Sequence, residues 1–151
     1  MSSITKKSLF SLFVLSIHHL SELAVLVNAK ATTKVGPAEV FTVHVVNNLP
    51  NNMSTLLIHC ASKDDDMGNH TLYVNDDFHW RFHVNFWVST MFFCRFQWDS
   101  KNVAHEVFNK RLGSLCENGE DNICLWSVKE DGFWIDNQIP PTQLKKIYGW
   151  Y

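Results

Sequence analysis

The chain predicts an all-β fold, an antiparallel two-sheet β-sandwich of seven to eight short strands with two disulfides, and three observations carry that reading. Apolar residues recur with a period of two from Phe41 onward, which is the pattern of half-buried strands and not of helices. Turn residues interrupt these runs at roughly 10-residue spacing, as in sandwiches and barrels. Four cysteines, Cys60, Cys94, Cys116 and Cys124, all lie downstream of an apolar N-terminal leader. An even set of cysteines exported to an oxidising compartment pairs into disulfides.

The leader comes first. Lys6 and Lys7 form a positive n-region, Leu9 to Ile17 an apolar h-region, and Val27-Asn28-Ala29 supply small residues for cleavage. Residues 1–29 therefore read as a secretory signal peptide, with Ala31 as the second choice of cleavage site. The run before His18-His19 is shorter than the ~20 apolar residues a transmembrane helix needs, and Ser21-Glu22 interrupts its continuation. Residues 30–151 then make a single secreted domain of 122 residues, enough chain for a real core.

Within that domain, Lys30 to Glu39 is a polar arm with a Gly36-Pro37 turn. Phe41 to Val45 alternates, and Asn47 to Asn52 breaks the strand. Leu56, Ile58 and Cys60 share one face of the next run. Phe78 to Val84 is the clearest strand, with Phe78, Trp80, Phe82 and Val84 on one side and His79, Arg81 and His83 on the other. Phe92, Cys94, Phe96 and Trp98 repeat the pattern, and Val103 to Asn109 follows as a less regular strand. Cys124 to Val128 and Phe133 to Ile135 flank Glu130-Asp131-Gly132, a tight-hairpin signal. No helical stretch is expected after the leader. The aromatic tail, Tyr148-Gly149-Trp150-Tyr151, should pack back on the body. Four thiols allow three connectivities; the preferred one joins Cys60 to Cys94, both on apolar strand faces, and Cys116 to Cys124 around the Asn118-Gly119 turn.

Charge and composition narrow the function. Without the leader, 11 basic residues stand against 14 acidic ones, with no basic block. Nucleic acid and anionic membrane are thus poor partners. Asn52-Met53-Ser54 and Asn69-His70-Thr71 are glycosylation sequons, both placed in loops. Asp64-Asp65-Asp66-Met67-Gly68 lacks the alternate ligand spacing and the terminal Glu of a calcium loop, so it reads as a solvated turn. His79 and His83 share a face but lie about 13 Å apart along one strand, too far to chelate one ion. No Cys-x-x-Cys or His-Glu-x-x-His occurs, so neither a metal nor a cofactor is expected. Catalysis would need His59 to meet His79 or His105, for which nothing in the sequence argues. Of the tryptophans, Trp80, Trp98 and Trp126 fall on core faces. Trp87 and Trp134 are the surface candidates for a carbohydrate-binding module, the leading alternative function; a secreted hydrolase ranks below it.

The ordered combination His59-Cys60, Asp64 to Gly68, Trp80-Arg81-Phe82, Phe92-Phe93-Cys94-Arg95-Phe96-Gln97-Trp98 and Cys124-Leu125-Trp126 resembles the plant self-incompatibility S-protein family. The resemblance runs from about Val43 to Trp134. It implies a small secreted β-sandwich with two disulfides and no catalytic activity. Some members of the family are pistil-borne ligands detected by a pollen receptor. The expectation is therefore a monomeric extracellular ligand for a plant cell-surface receptor protein. Contacts would come from the loops 48–55, 63–69, 75–77 and 99–102, with Asp64, Asp65, Asp66, Asp76 and Asp77 supplying charge.

Overall fold

Strict alternation of buried and half-exposed residues runs through Val40–Asn47, the first strand (β1), and places Phe41, Val43 and Val45 in the core. The computed structural model describes residues 35–50, 55–119 and 121–151, so the leader and Asn52 lie outside the described residues. The strands that follow are β2 (Leu56–Ala61), β3 (Asp66–Leu72), β4 (Asp77–His83), β5 (Phe92–Trp98) and β6 (Lys101–Phe108). A helix, α1 (Lys110–Cys116), precedes β7 (Ile123–Lys129), β8 (Gly132–Asp136) and β9 (Lys145–Tyr148). One sheet has the order β4-β1-β7-β8-β9 and the other β3-β2-β5-β6.

The two-sheet, two-disulfide sandwich is as predicted, with three departures. The described residues contain nine strands, because the tail contributes β9 and Asp66–Leu72 is a strand where a loop was expected. The pair β1 and β7 is parallel. Its cause is topological: β6 and α1 carry the chain across at the end where β1 begins, so β7 enters its sheet from that same end. The third departure is α1 itself, which overturns the all-strand expectation. Asn109, read as the end of a strand, is its N-cap; its side-chain oxygen accepts the Leu112 N–H at 2.8 Å. Leu112 and Cys116, four apart, bury the inner face of this short helix. A Cβ on Gly113 would stand 3.0 Å from the Val35 side chain and 3.1 Å from that of Phe108, so a larger residue there would have to push these two side chains aside by a few tenths of an ångström.

Between the sheets, Phe41, Phe92, Phe96, Phe108, Trp126 and Phe133 are almost fully buried. Each such side chain contributes about 1.5–3 kcal/mol by leaving water. Both cysteine pairs form as preferred, Cys60–Cys94 between directly opposed residues of β2 and β5, and Cys116–Cys124 between α1 and the start of β7. The tail packs back as far as Trp150, which is buried and whose indole N–H donates to the Lys129 carbonyl at 2.9 Å, whereas Tyr151 is fully exposed.

Asn47 joins the two sheets. Read from sequence as a strand breaker, it is fully buried, donates to the Leu72 carbonyl at 2.9 Å and accepts the Leu49 N–H at 3.0 Å. Its own backbone binds Asn75 and Asp76, which pins the turn between β3 and β4. A buried amide with its hydrogen bonds satisfied fixes geometry that apolar packing alone leaves loose.

Candidate functional site

The strand registers decide which loops share an end. Val46 faces Asp77 and Ser127, Leu56 faces Leu72, and Leu57 faces Gln97. The turns at Tyr73–Asp76, Asp99–Ser100 and Glu130–Asp131 therefore gather at one end, beside the last residue of β1 and the first of β2. The turn Ser62–Asp65, the β4–β5 loop (84–91) and the β8–β9 loop (137–144) lie at the other. Asp64, Asp65 and Asp66 are thus separated from Asp76 and Asp77 by the length of β3, about 20 Å. The structure does not bring the two acidic groups together.

Three of the expected loops are shorter than predicted. Asp66 to Asn69 belongs to β3, Asp77 opens β4, and Lys101-Asn102 opens β6. Asn69 consequently sits on an edge strand, exposed, and not in a loop. It faces His59 across the pair β2–β3, on the outer side of the four-stranded sheet. There Leu57, His59, Asn69, Phe93 and Arg95 line a groove of about 630 Å³.

The acidic turn is rigid. The Ser62 hydroxyl oxygen accepts the N–H groups of Asp64 and Asp65, and Ser62 N–H donates to the Asp65 carbonyl at 2.7 Å. Asp66 accepts from the Gly68 N–H at 2.8 Å and pairs with His59 at 2.7 Å. Those two partners, the Gly68 amide first, hold the Asp66 carboxyl below the usual carboxylate range. The carboxylates of Asp64 and Asp65 remain solvent-facing.

At the same end the β4–β5 loop presents two large aromatic rings to solvent. Phe86 is 75% exposed and Trp87 81% exposed, packed edge to face at 5.2 Å. Asn85 braces the loop by accepting the Ser89 N–H and donating its own N–H to the Thr90 hydroxyl, both at 2.8 Å, while Val88 packs against the core. Trp87 was expected at the surface; Phe86, its partner, was missed, although Phe86-Trp87 follows Asn85 directly beyond the end of the alternating run Phe78 to Val84.

Trp134 makes no platform with Trp87. It lies on β8 with Lys129 and Lys146 at 5.0 and 5.8 Å over its ring, and its N–H donates to Asp131 at 3.0 Å. That hydrogen bond, ahead of Lys146, holds the Asp131 carboxyl low. The candidate catalytic histidines also stay apart. His59 is on the outer side of one sheet and His79 on the outer side of the other. His105 points between the sheets, stacked on Tyr148 at 4.3 Å and donating to the Gly149 carbonyl. Desolvation lowers the His105 pKa, against that hydrogen bond. Neither His59–His79 nor His59–His105 forms.

The sequence profile described as plant self-incompatibility protein S1 matches residues 42–150. The chain belongs to this family. S-protein homolog 2 of Arabidopsis thaliana is 32% identical over 136 residues, covering 83% of this chain and 84% of that protein. S-protein homolog 28 of the same plant is 34% identical over 93% of this chain and 89% of its own length. With S-protein homolog 5 identity rises to 40%, but over 51% of this chain and only 57% of that relative. A solved structure of a self-incompatibility protein homologue, described as from a widespread family of small, highly stable, secreted plant proteins, covers 72% of this chain and 95% of its own. Its TM-score is 0.50 at 17% identity, a likeness of fold alone. Among the described residues, no helix is long and apolar enough to cross a membrane.

Proposed function

We propose that this family member is a secreted, non-catalytic extracellular ligand recognised by a plant cell-surface protein through one end of its sandwich. The observation that carries the reading is the exposed pair Phe86 and Trp87, held on a braced loop at the same end as the rigid Asp64-Asp65 turn. Exposed, ordered aromatics mark binding surfaces and dominate their energetics, while the neighbouring carboxylates steer a basic partner and suppress wrong ones. The disulfide-braced strands keep this arrangement in place before binding, which limits the entropy lost on association.

Export would also allow a glycan on Asn69, which is exposed on an edge strand. Such a glycan covers the outer groove of the four-stranded sheet and leaves the ends of the sandwich for recognition. A glycosidase-sensitive mass on the exported protein checks this; an unmodified mass on protein from its native tissue contradicts it.

The binding end is tested by measuring labelled protein on intact plant cells. Replacing Phe86 and Trp87 together by alanine should weaken binding by at least roughly tenfold, the loss of one hot spot. Replacing Asp64 and Asp65 by asparagine should slow association chiefly, most visibly at low salt. Unchanged binding by the Phe86/Trp87 variant, with folding intact, would refute this site.

A further inference from the structure

We propose that His44, Asp77 and His79 form a binding site for a divalent ion of the zinc class, a reading independent of the recognition role above. His44 on β1 and His79 on β4 are directly opposed in the antiparallel pair, and their rings stack at 4.8 Å. Asp77 precedes His79 by two residues, so it projects from the same side of β4. Its carboxylate lies 2.8 Å from His44 Nδ1 and 3.6 Å from His79 Nδ1. The three ligand atoms all lie within 4.8 Å of one another. Tetrahedral zinc with bonds of about 2.0–2.2 Å sets its donors roughly 3.4 Å apart, so small side-chain rotations complete the set.

The chemistry suits the ion. Two neutral imidazoles and one carboxylate are borderline donors that select zinc-like metals over calcium or magnesium. Asp76 does not compete, because its carboxylate accepts the Tyr73 N–H within the turn. Arg81, on the same side of β4, opposes a cation, and Asp121 across the adjoining groove offsets it. The His79 side chain is 58% exposed, which leaves a fourth coordination position open to water or to a donor from outside the chain. Sequence spacing could not reveal this set. It compared His79 with His83 along one strand, whereas the partner, His44, is brought in by cross-strand register.

Calorimetric titration of the purified protein, disulfides intact, with zinc at pH 7.5 tests the site. The expected result is one ion per chain, with His79→Ala weakening affinity at least roughly tenfold, the scale of a damaged metal site. His83→Ala, on the same strand but outside the set, should bind as the parent does. Imidazole NMR signals of His44 and His79 should shift together on addition of zinc. No saturable binding at one equivalent, parental affinity in a folded His79→Ala variant, or loss of binding on His59→Ala in its place would overturn the proposal.

Discussion

Replacing Cys60 and Cys94 together by alanine is expected to destabilise the protein by about 4 kcal/mol, the chain-entropy value for the loop they close. That bridge spans 34 residues of sequence, against 8 for Cys116–Cys124. The shorter loop predicts about 2.6 kcal/mol by the same relation. The larger loss is a substantial part of a typical domain stability of about 5–15 kcal/mol, and should lower the melting temperature by roughly 12–20 °C. Both sulfurs are buried, so the replacement also removes packing at the centre of the β2–β5 pair. Circular dichroism melts of the two double variants check the ordering. Equal losses would mean that local strand packing, and not loop closure, sets the contribution of each bridge.

Trp126→Ala should cost about 3–5 kcal/mol, the range for removing a large buried aromatic side chain. Trp126 lies on β7 and is 1% exposed, and its indole N–H crosses between the sheets to the Val107 carbonyl of β6 at 2.9 Å. The alanine variant therefore opens a cavity and removes an inter-sheet hydrogen bond at once. Trp126→Phe separates the two effects, since it keeps much of the apolar volume. It should cost less, at least the roughly 1 kcal/mol of the hydrogen bond. Denaturant unfolding of the three proteins measures both terms; a phenylalanine variant as damaged as the alanine one would show that the hydrogen bond dominates.

These effects rest on features that differ in how plainly the sequence displays them. Period-two patterning in Phe78 to Val84 and Phe92 to Trp98 reports burial on one face directly, so both strands were legible. Glu130-Asp131-Gly132 was equally plain, because Lys129 pairs with Gly132 across the two-residue turn it specifies. The helix was hidden by its length of seven residues and by Gly113, a poor helix former kept there for close packing. Its N-cap Asn109 and the Leu112–Cys116 spacing were the signals available. Asp66–Leu72 carries Gly68 and Asn69 and shows almost no apolar alternation, since an edge strand there buries only Leu72.

Of the candidate site, Trp87, Asp64 and Asp65 were singled out in the sequence, whereas Phe86 and the β4–β5 loop as a contact surface were not, and neither was the arrangement. Register sends Asp64 and Asp77 to opposite ends of β3, and nothing local in sequence encodes that separation. It likewise brings His44 to His79 across 35 positions of chain. Asn47 looked like a strand breaker because Asn residues favour turns, whereas its buried side chain bonds the last residue of β3.

Saturation binding of the labelled protein to intact plant cells, before and after protease shaving of the cell surface, tests the proposed ligand role most directly. The account predicts a saturable isotherm, competed by unlabelled protein and abolished by shaving. Binding that never saturates, or that survives shaving and is competed by cell-wall polysaccharide, would contradict it.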